Sequence, residues 1–211
     1  GILPRVEKAL HRLLKDGRTG KTVSNYAEAL RACCLWCQER RYLSDDPLKG
    51  LATFDTTPRS QRRAMTKEEV QKLLSSCAPH RRLLYEMAIY SGLRANELRS
   101  LTIDDLDVGN SGVHLRAAWT KNRQDGFQPL PKSLVTRLLT FAQSGEALRM
   151  YERLQSRSGA TKAYPANPLL HVPSHTARAI DADLDVAGIE KWTSKGKLDF
   201  HAIRVAFVNF V

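Results

Sequence analysis

Apolar positions recur at three- and four-residue steps along most of the chain, interrupted by an aperiodic stretch over 52–64 and a shorter period beyond residue 101. Val6, Leu10, Leu13 and Leu14 predict a short helix over 5–15, ended by Gly17 and Gly20. Thr22 or Ser24 is the expected N-cap of a second helix. Its stripe is Val23, Tyr26, Ala27, Leu30, Cys34 and Cys37, and it should end near Arg40–Tyr42, before Asp45-Asp46-Pro47. Residues 52–64 show no periodicity, so a linker is expected there. Thr66-Lys67-Glu68-Glu69 then reads as a capping box opening a helix with Val70, Leu73 and Leu74. Further helices are expected over 81–91, halted by Gly92, and over 95–101.

Beyond residue 101 the period shortens. Ile103, Leu106 and Val108, then Val113, Leu115 and Ala117, then Phe127 and Leu130 predict three short strands. Asn110-Ser111-Gly112 and Asn122–Gly126 supply the turns. Helices follow over 132–143, 145–157, 175–187 and 200–211. The fold class is therefore mainly α with a small antiparallel β-sheet. The expected domains are a helical one over 1–57, a basic linker over 58–65 and a mixed α/β one over 66–211. The last helix has no glycine, cap or polar tail, so the 66–211 domain is expected to be incomplete at its C-terminal end; the 1–57 domain is expected to be incomplete as well.

Composition narrows the partner. Lys plus Arg number 33 against 22 Asp plus Glu, a net charge of +11. The excess is denser up to Ala64, with 13 basic and 7 acidic residues there. Such a field suits a polyanion, of which nucleic acid is the commonest, although a basic protein without such a partner has the same balance. No run of 18 apolar residues occurs, and Pro4, Arg5, Glu7 and Lys8 interrupt any apolar opening. No membrane partner is expected, and the location is read as cytoplasmic. Cys34-x-x-Cys37 with Cys77-x-x-His80 can be written as a zinc site. Cys33, Cys34 and Cys37 also lie at helical spacing with Tyr26 and Leu30, and on that reading they are small core residues and no metal is bound.

Three segments carry candidate chemistry. Ser91-Gly92-Leu93-Arg94-Ala95-Asn96-Glu97-Leu98 places Arg94 at a helix start with Glu97 three residues on. Trp119-Thr120-Lys121-Asn122-Arg123 lies at a turn between strands, and His201-Ala202-Ile203-Arg204 puts its two ends on one helix face. Each alone has a plain structural explanation: a surface arginine, a solvated lysine, a structural pair.

In order and spacing, the three together resemble the tyrosine recombinase (phage integrase) family. Gly92-Leu93-Arg94 with Glu97-Leu98 is similar to that family's first arginine motif, Lys121 falls where it has a β-hairpin lysine, and His201-x-x-Arg204 is similar to its second arginine motif. Residues 21–51, with Thr22, Tyr26, Leu30, Arg31, Trp36 and Asp46-Pro47-Leu48, look like the end of its helical core-binding domain.

The resemblance implies a site-specific recombinase that cuts DNA through a 3′-phosphotyrosyl intermediate. Arg94 and Arg204 would bind the non-bridging oxygens, Lys121 would protonate the leaving 5′-oxygen, and His201 would assist the phosphate or the nucleophile's proton. Glu97 would orient Arg94, and no cofactor or metal is implied. The implied partner is double-stranded DNA, with self-association into a tetrameric synapse in the full-length form. Expected DNA contacts are Lys21, Thr22, Arg31, Arg59, Arg62, Arg63, Lys121 and Arg123, the linker arginines positioning rather than specifying.

The sequence also departs from the family. Only seven residues follow Arg204, none of them tyrosine, and Val205-Ala206 stand where a histidine and a hydroxyl residue are common. The expectation is therefore a chain cut before its nucleophile, binding DNA without covalent cleavage. Three alternatives stay open: an inactive DNA-binding protein of the same fold, a type IB topoisomerase and an unrelated helical regulator.

Overall fold

The computed structural model describes residues 1–58, 60–119, 123–158 and 163–210, with backbone alone at 157–158 and 206–210. The chain divides into two compact units, Gly1–Gln61 and Arg62–Val211.

The first unit pairs α1 (Ile2–Lys15) with α2 (Gly20–Glu39). Leu10, Val23, Ala27, Leu48 and Leu51 form its small core, with Val6, Leu13, Leu14 and Cys34 packed against it. The cap of α2 is neither Thr22 nor Ser24. It is Thr19, whose hydroxyl accepts from the Thr22 amide at 3.2 Å, so the helix starts at Gly20. No larger residue fits at Gly20, because the loop passes so close that an added Cβ would overlap the Asp55 carbonyl. The predicted stripe is only partly inward. Val23 and Ala27 are buried, whereas Tyr26, Leu30 and Cys33 are exposed, because the loop over Leu48 and Leu51 covers a narrower face than the period suggested. The core reading of the cysteines is thus corrected at Cys33, while Cys34 and Cys37 are half-buried.

In the second unit α3 (Lys67–Ser76) opens with the expected reciprocal cap of Thr66 and Glu69. Next come α4 (Pro79–Ser91) and α5 (Ala95–Ser100). α4 is the central element, with Leu84, Tyr85, Met87 and Ala88 at 1% exposure or less. Ile103 does not start a strand. Thr102 donates its amide and its hydroxyl to Asp105 at 2.8 and 2.7 Å, and this closes a 3₁₀ turn over Ile103–Asp105. A three-stranded antiparallel sheet follows in the order β1 (Leu106–Asp107), β2 (Gly112–Leu115), β3 (Gly126–Pro129), with Leu106 opposite Val113 and His114 opposite Phe127.

The chain then returns to helix: α6 (Lys132–Gln143), α7 (Glu146–Ser158) and α8 (Thr176–Val186). Buried Asp183 of α8 accepts from the Tyr85 hydroxyl and pairs with Arg81, which fastens α8 to α4. A hairpin that periodicity did not predict, β4 (Trp192–Thr193) and β5 (Gly196–Lys197), leads into α9 (Phe200–Phe210), which packs on α4. Among the described residues, no helix is long and apolar enough to cross a membrane.

Candidate nucleic-acid and catalytic site

The site begins where α4 stops. Gly92 adopts the left-handed conformation (φ 61°) and donates its amide to Ala88, a helix end that glycine accepts without a Cβ clash. The turn brings Arg94 to the first position before α5. Its backbone amide donates to Glu97 Oε2 at 2.7 Å and its guanidinium to Oε1 at 2.9 Å. Glu97 is buried, whereas the Arg94 side chain is 45% exposed. One carboxylate therefore braces both the turn and the head group, and the rest of the guanidinium fork remains open to an anion.

The second half comes from α9. Asp199 Oδ1 accepts the Ala202 amide at 3.0 Å, which caps the helix, while Oδ2 accepts from Arg62 Nε at 2.7 Å. His201 is exposed and Arg204 half-buried. Among the described residues Arg204 pairs with no carboxylate. Partial burial, then the charges of Arg62, Arg204 and Arg94, hold the His201 pKa below the usual histidine range, with Asp199 opposing. Its ring is thus mostly neutral at pH 7.

Arg94, His201 and Arg204 meet in one cleft of about 400 Å³, which Asn96, Thr176 and Asp199 also line. A second cleft of about 380 Å³ lies on the β-hairpin side, lined by Gln124, Asp125, Gly126 and Gln128. Arg94 and Arg204 border both clefts. Two forked cations beside a neutral imidazole suit a phosphoryl group, which offers two non-bridging oxygens, better than a single carboxylate.

The other predicted residues divide. Lys121 and Arg59 lie outside the described residues. Arg123 is exposed beside the second cleft's hairpin segment, in the left-handed region at φ 52°. Lys21 is exposed, and Thr22 is half-buried beneath the Thr19 cap. Arg31 donates to the Leu51 carbonyl and ties α2 to its loop. Arg63 is nearly buried, gripping Glu69 through two 2.7 Å bonds and the Glu190 carbonyl at 3.0 Å. Protein acceptors fill the fork of Arg63, whereas Arg31 gives one donor to the loop carbonyl. Arg62 is half exposed and anchored to Asp199.

Periodicity missed two contributors. Asp199 carried a legible signal, an acidic residue directly before an apolar helical run. Thr176 carried none, since only the packing of α8 brings it to the cleft. Among the described residues, no three His, Cys, Asp or Glu side chains gather where a metal could be held.

Residues 63–209 match the phage integrase family. The chain is similar to tyrosine recombinase XerA of Thermococcus kodakarensis, 32% identical over 138 residues, which cover 64% of this chain and 46% of that protein. It is also similar to prophage integrase IntR of Escherichia coli K12, 30% identical over 141 residues, covering 66% and 34%. Two solved structures share the fold. One is the lambda integrase (residues 75–356) bound to DNA, with a TM-score of 0.64, 13% identity and coverage of 97% of this chain and 69% of that one. The other is the Tn1549 transposon integrase in complex with circular intermediate DNA, with a TM-score of 0.60, 17% identity and coverage of 97% and 70%. The matched region spans less than half the length of either curated relative.

Proposed function

The chain belongs to the phage integrase family, and from that membership we propose that the protein of which it forms part is a site-specific DNA recombinase. The observation that carries the reading is the meeting of Arg94, His201 and Arg204 in one cleft from two distant segments of sequence. Arg94 and Arg204 bind the two non-bridging oxygens of the scissile phosphate, where charge gathers as a tyrosine attacks. Glu97 keeps Arg94 in place. His201, neutral at rest, hydrogen-bonds the phosphate or accepts the nucleophile's proton. Lys121, from the β2–β3 connection, gives the leaving 5′-oxygen its proton. The product is a 3′-phosphotyrosyl joint, which the free 5′-hydroxyl of a partner strand reverses.

Residues 1–211 hold no tyrosine after Arg204. In this reading the 211-residue chain binds duplex DNA and forms no covalent joint with it, while the whole protein works in the cytoplasm as a tetramer on paired sites. The expected test result is salt-sensitive binding of duplex DNA with no protein–DNA adduct on a nicked site. A longer chain that includes a following tyrosine should form the adduct, and Arg94→Ala in it should abolish cleavage while leaving much of the binding. Normal cleavage by that variant would sink the assignment of Arg94.

Val205 and Ala206, which follow Arg204 directly, favour a second reading, a DNA-binding protein that keeps the fold without the chemistry. A longer chain that binds DNA but yields no adduct would support it.

A further inference from the structure

α5 carries two polar residues that the arginine motif does not use, Asn96 and Arg99. Arg99 is 4% exposed, and among the described residues no carboxylate pairs with it. Its Nη1 donates to Asn96 Oδ1 at 2.7 Å and its Nη2 to the Pro173 carbonyl at 3.0 Å. Burial lowers its pKa, which marks the cation as costly to hold there. A guanidinium has donors only, so the Asn96 oxygen has to face it and the amide nitrogen has to face the other way. Asn96 is exposed and lines the cleft of Arg94, His201 and Arg204. No described residue accepts from its Nδ2. The charged bond on the oxygen also polarises the amide and strengthens Nδ2 as a donor.

We propose that Asn96 is a DNA-binding residue that donates Nδ2–H to a backbone phosphate oxygen of the strand in the Arg94–Arg204 cleft, and that Arg99 is the positioning residue that fixes its amide. This deepens the recombinase reading and rests on it. The contact is neutral, so it adds affinity without releasing a counterion, and it is to the backbone, so it acts on every sequence alike.

The test is titration of the 211-residue chain with two duplexes of unrelated sequence at several salt concentrations. Asn96→Ala should weaken binding to both by about tenfold with an unchanged salt slope. Asn96→Asp keeps an oxygen for Arg99 and gives that cation a counter-ion. Its fold should be at least as stable as wild type, yet its carboxylate faces phosphate and binding should fall further. Arg99→Met should weaken binding in the wild-type background and have no further effect in Asn96→Ala, a coupling that a purely structural arginine would not produce. Wild-type affinity in either Asn96 variant, a loss confined to one duplex, or additive effects of the two positions would overturn the proposal. A wild-type chain that binds neither duplex would overturn the recombinase reading and this inference with it.

Discussion

Arg62 and Asp199, 137 positions apart, are joined by a 2.7 Å bond from Arg62 Nε to Asp199 Oδ2. The backbone repeats the link, because Arg62 bridges Lys197 and the Arg63 amide donates to the Lys197 carbonyl. Asp199 also caps α9, so the segment entering the second unit and the helix carrying His201 and Arg204 share one carboxylate. The Arg62 side chain is 53% exposed, so solvent screens the ion pair and the cap is the larger contribution. Asp199→Ala should cost about 1 kcal/mol of stability by urea unfolding, and Asp199→Asn less. The negative charge of Asp199 raises the His201 pKa. Asp199→Asn should therefore lower it further, which an NMR titration of the imidazole would show; an upward shift would contradict this electrostatic picture.

Arg63 should behave as a structural residue. Its two bonds to Glu69 also hold the carboxylate that caps α3, so losing the guanidinium loosens two elements together. Arg63→Ala is expected to cost about 2 kcal/mol, and Arg63→Lys to recover little because one ammonium cannot replace a fork. The salt slope of duplex binding should stay at its wild-type value. A flattened slope would return Arg63 to the DNA contacts.

His171 predicts an acid sensitivity. It is buried beside His80, Tyr151 and Arg99, and neither ring nitrogen has a partner among the described residues. Burial, with the nearby cationic groups, lowers its pKa to about 4. An unfolded histidine titrates near 6.5, so between those values the unfolded state binds more protons. Stability is complete above pH 6.5 and declines as pH falls towards 4. Between pH 7 and pH 5 wild type should lose about 2 kcal/mol more than His171→Phe, measured by urea unfolding at each pH. Equal losses would mean that the ring titrates normally.

Gly20→Ala should loosen the first unit alone. The added Cβ would overlap the Asp55 carbonyl oxygen, and the loop has to move to admit it. The expected cost is about 2 kcal/mol, typical of overpacking. Hydrogen exchange should speed up at the start of α2 while α4 keeps its protection. Faster exchange in α4 would show that the damage is not local.

Elements with local causes were legible in the sequence. The Thr66–Glu69 cap needs only residues three apart, and the stop at Gly92 needs only a residue that tolerates positive φ. The arginine motif around Arg94 was legible for the same reason, since its brace, Glu97, lies on the next turn. The cap of α2 was harder to read, because two plausible hydroxyls follow Gly20 while the cap itself, Thr19, precedes it. The β4–β5 hairpin left no period to find, because two-residue strands do not alternate long enough. Arg31 and Arg63 read as DNA contacts in the sequence because charge carries no record of which acceptor folds beside it.

The helical order, the small antiparallel sheet and the family likeness can all be read from the chain, because they follow from residues within a few positions of one another or from motifs in fixed order. Which charges are open to a ligand emerges only on folding. Arg94 and Arg204 border the clefts, whereas Arg63 is turned inward onto Glu69 and Arg99 onto Asn96 and the Pro173 carbonyl. The physical reason is that a guanidinium takes whatever acceptors its surroundings offer, and those acceptors come from distant parts of the chain.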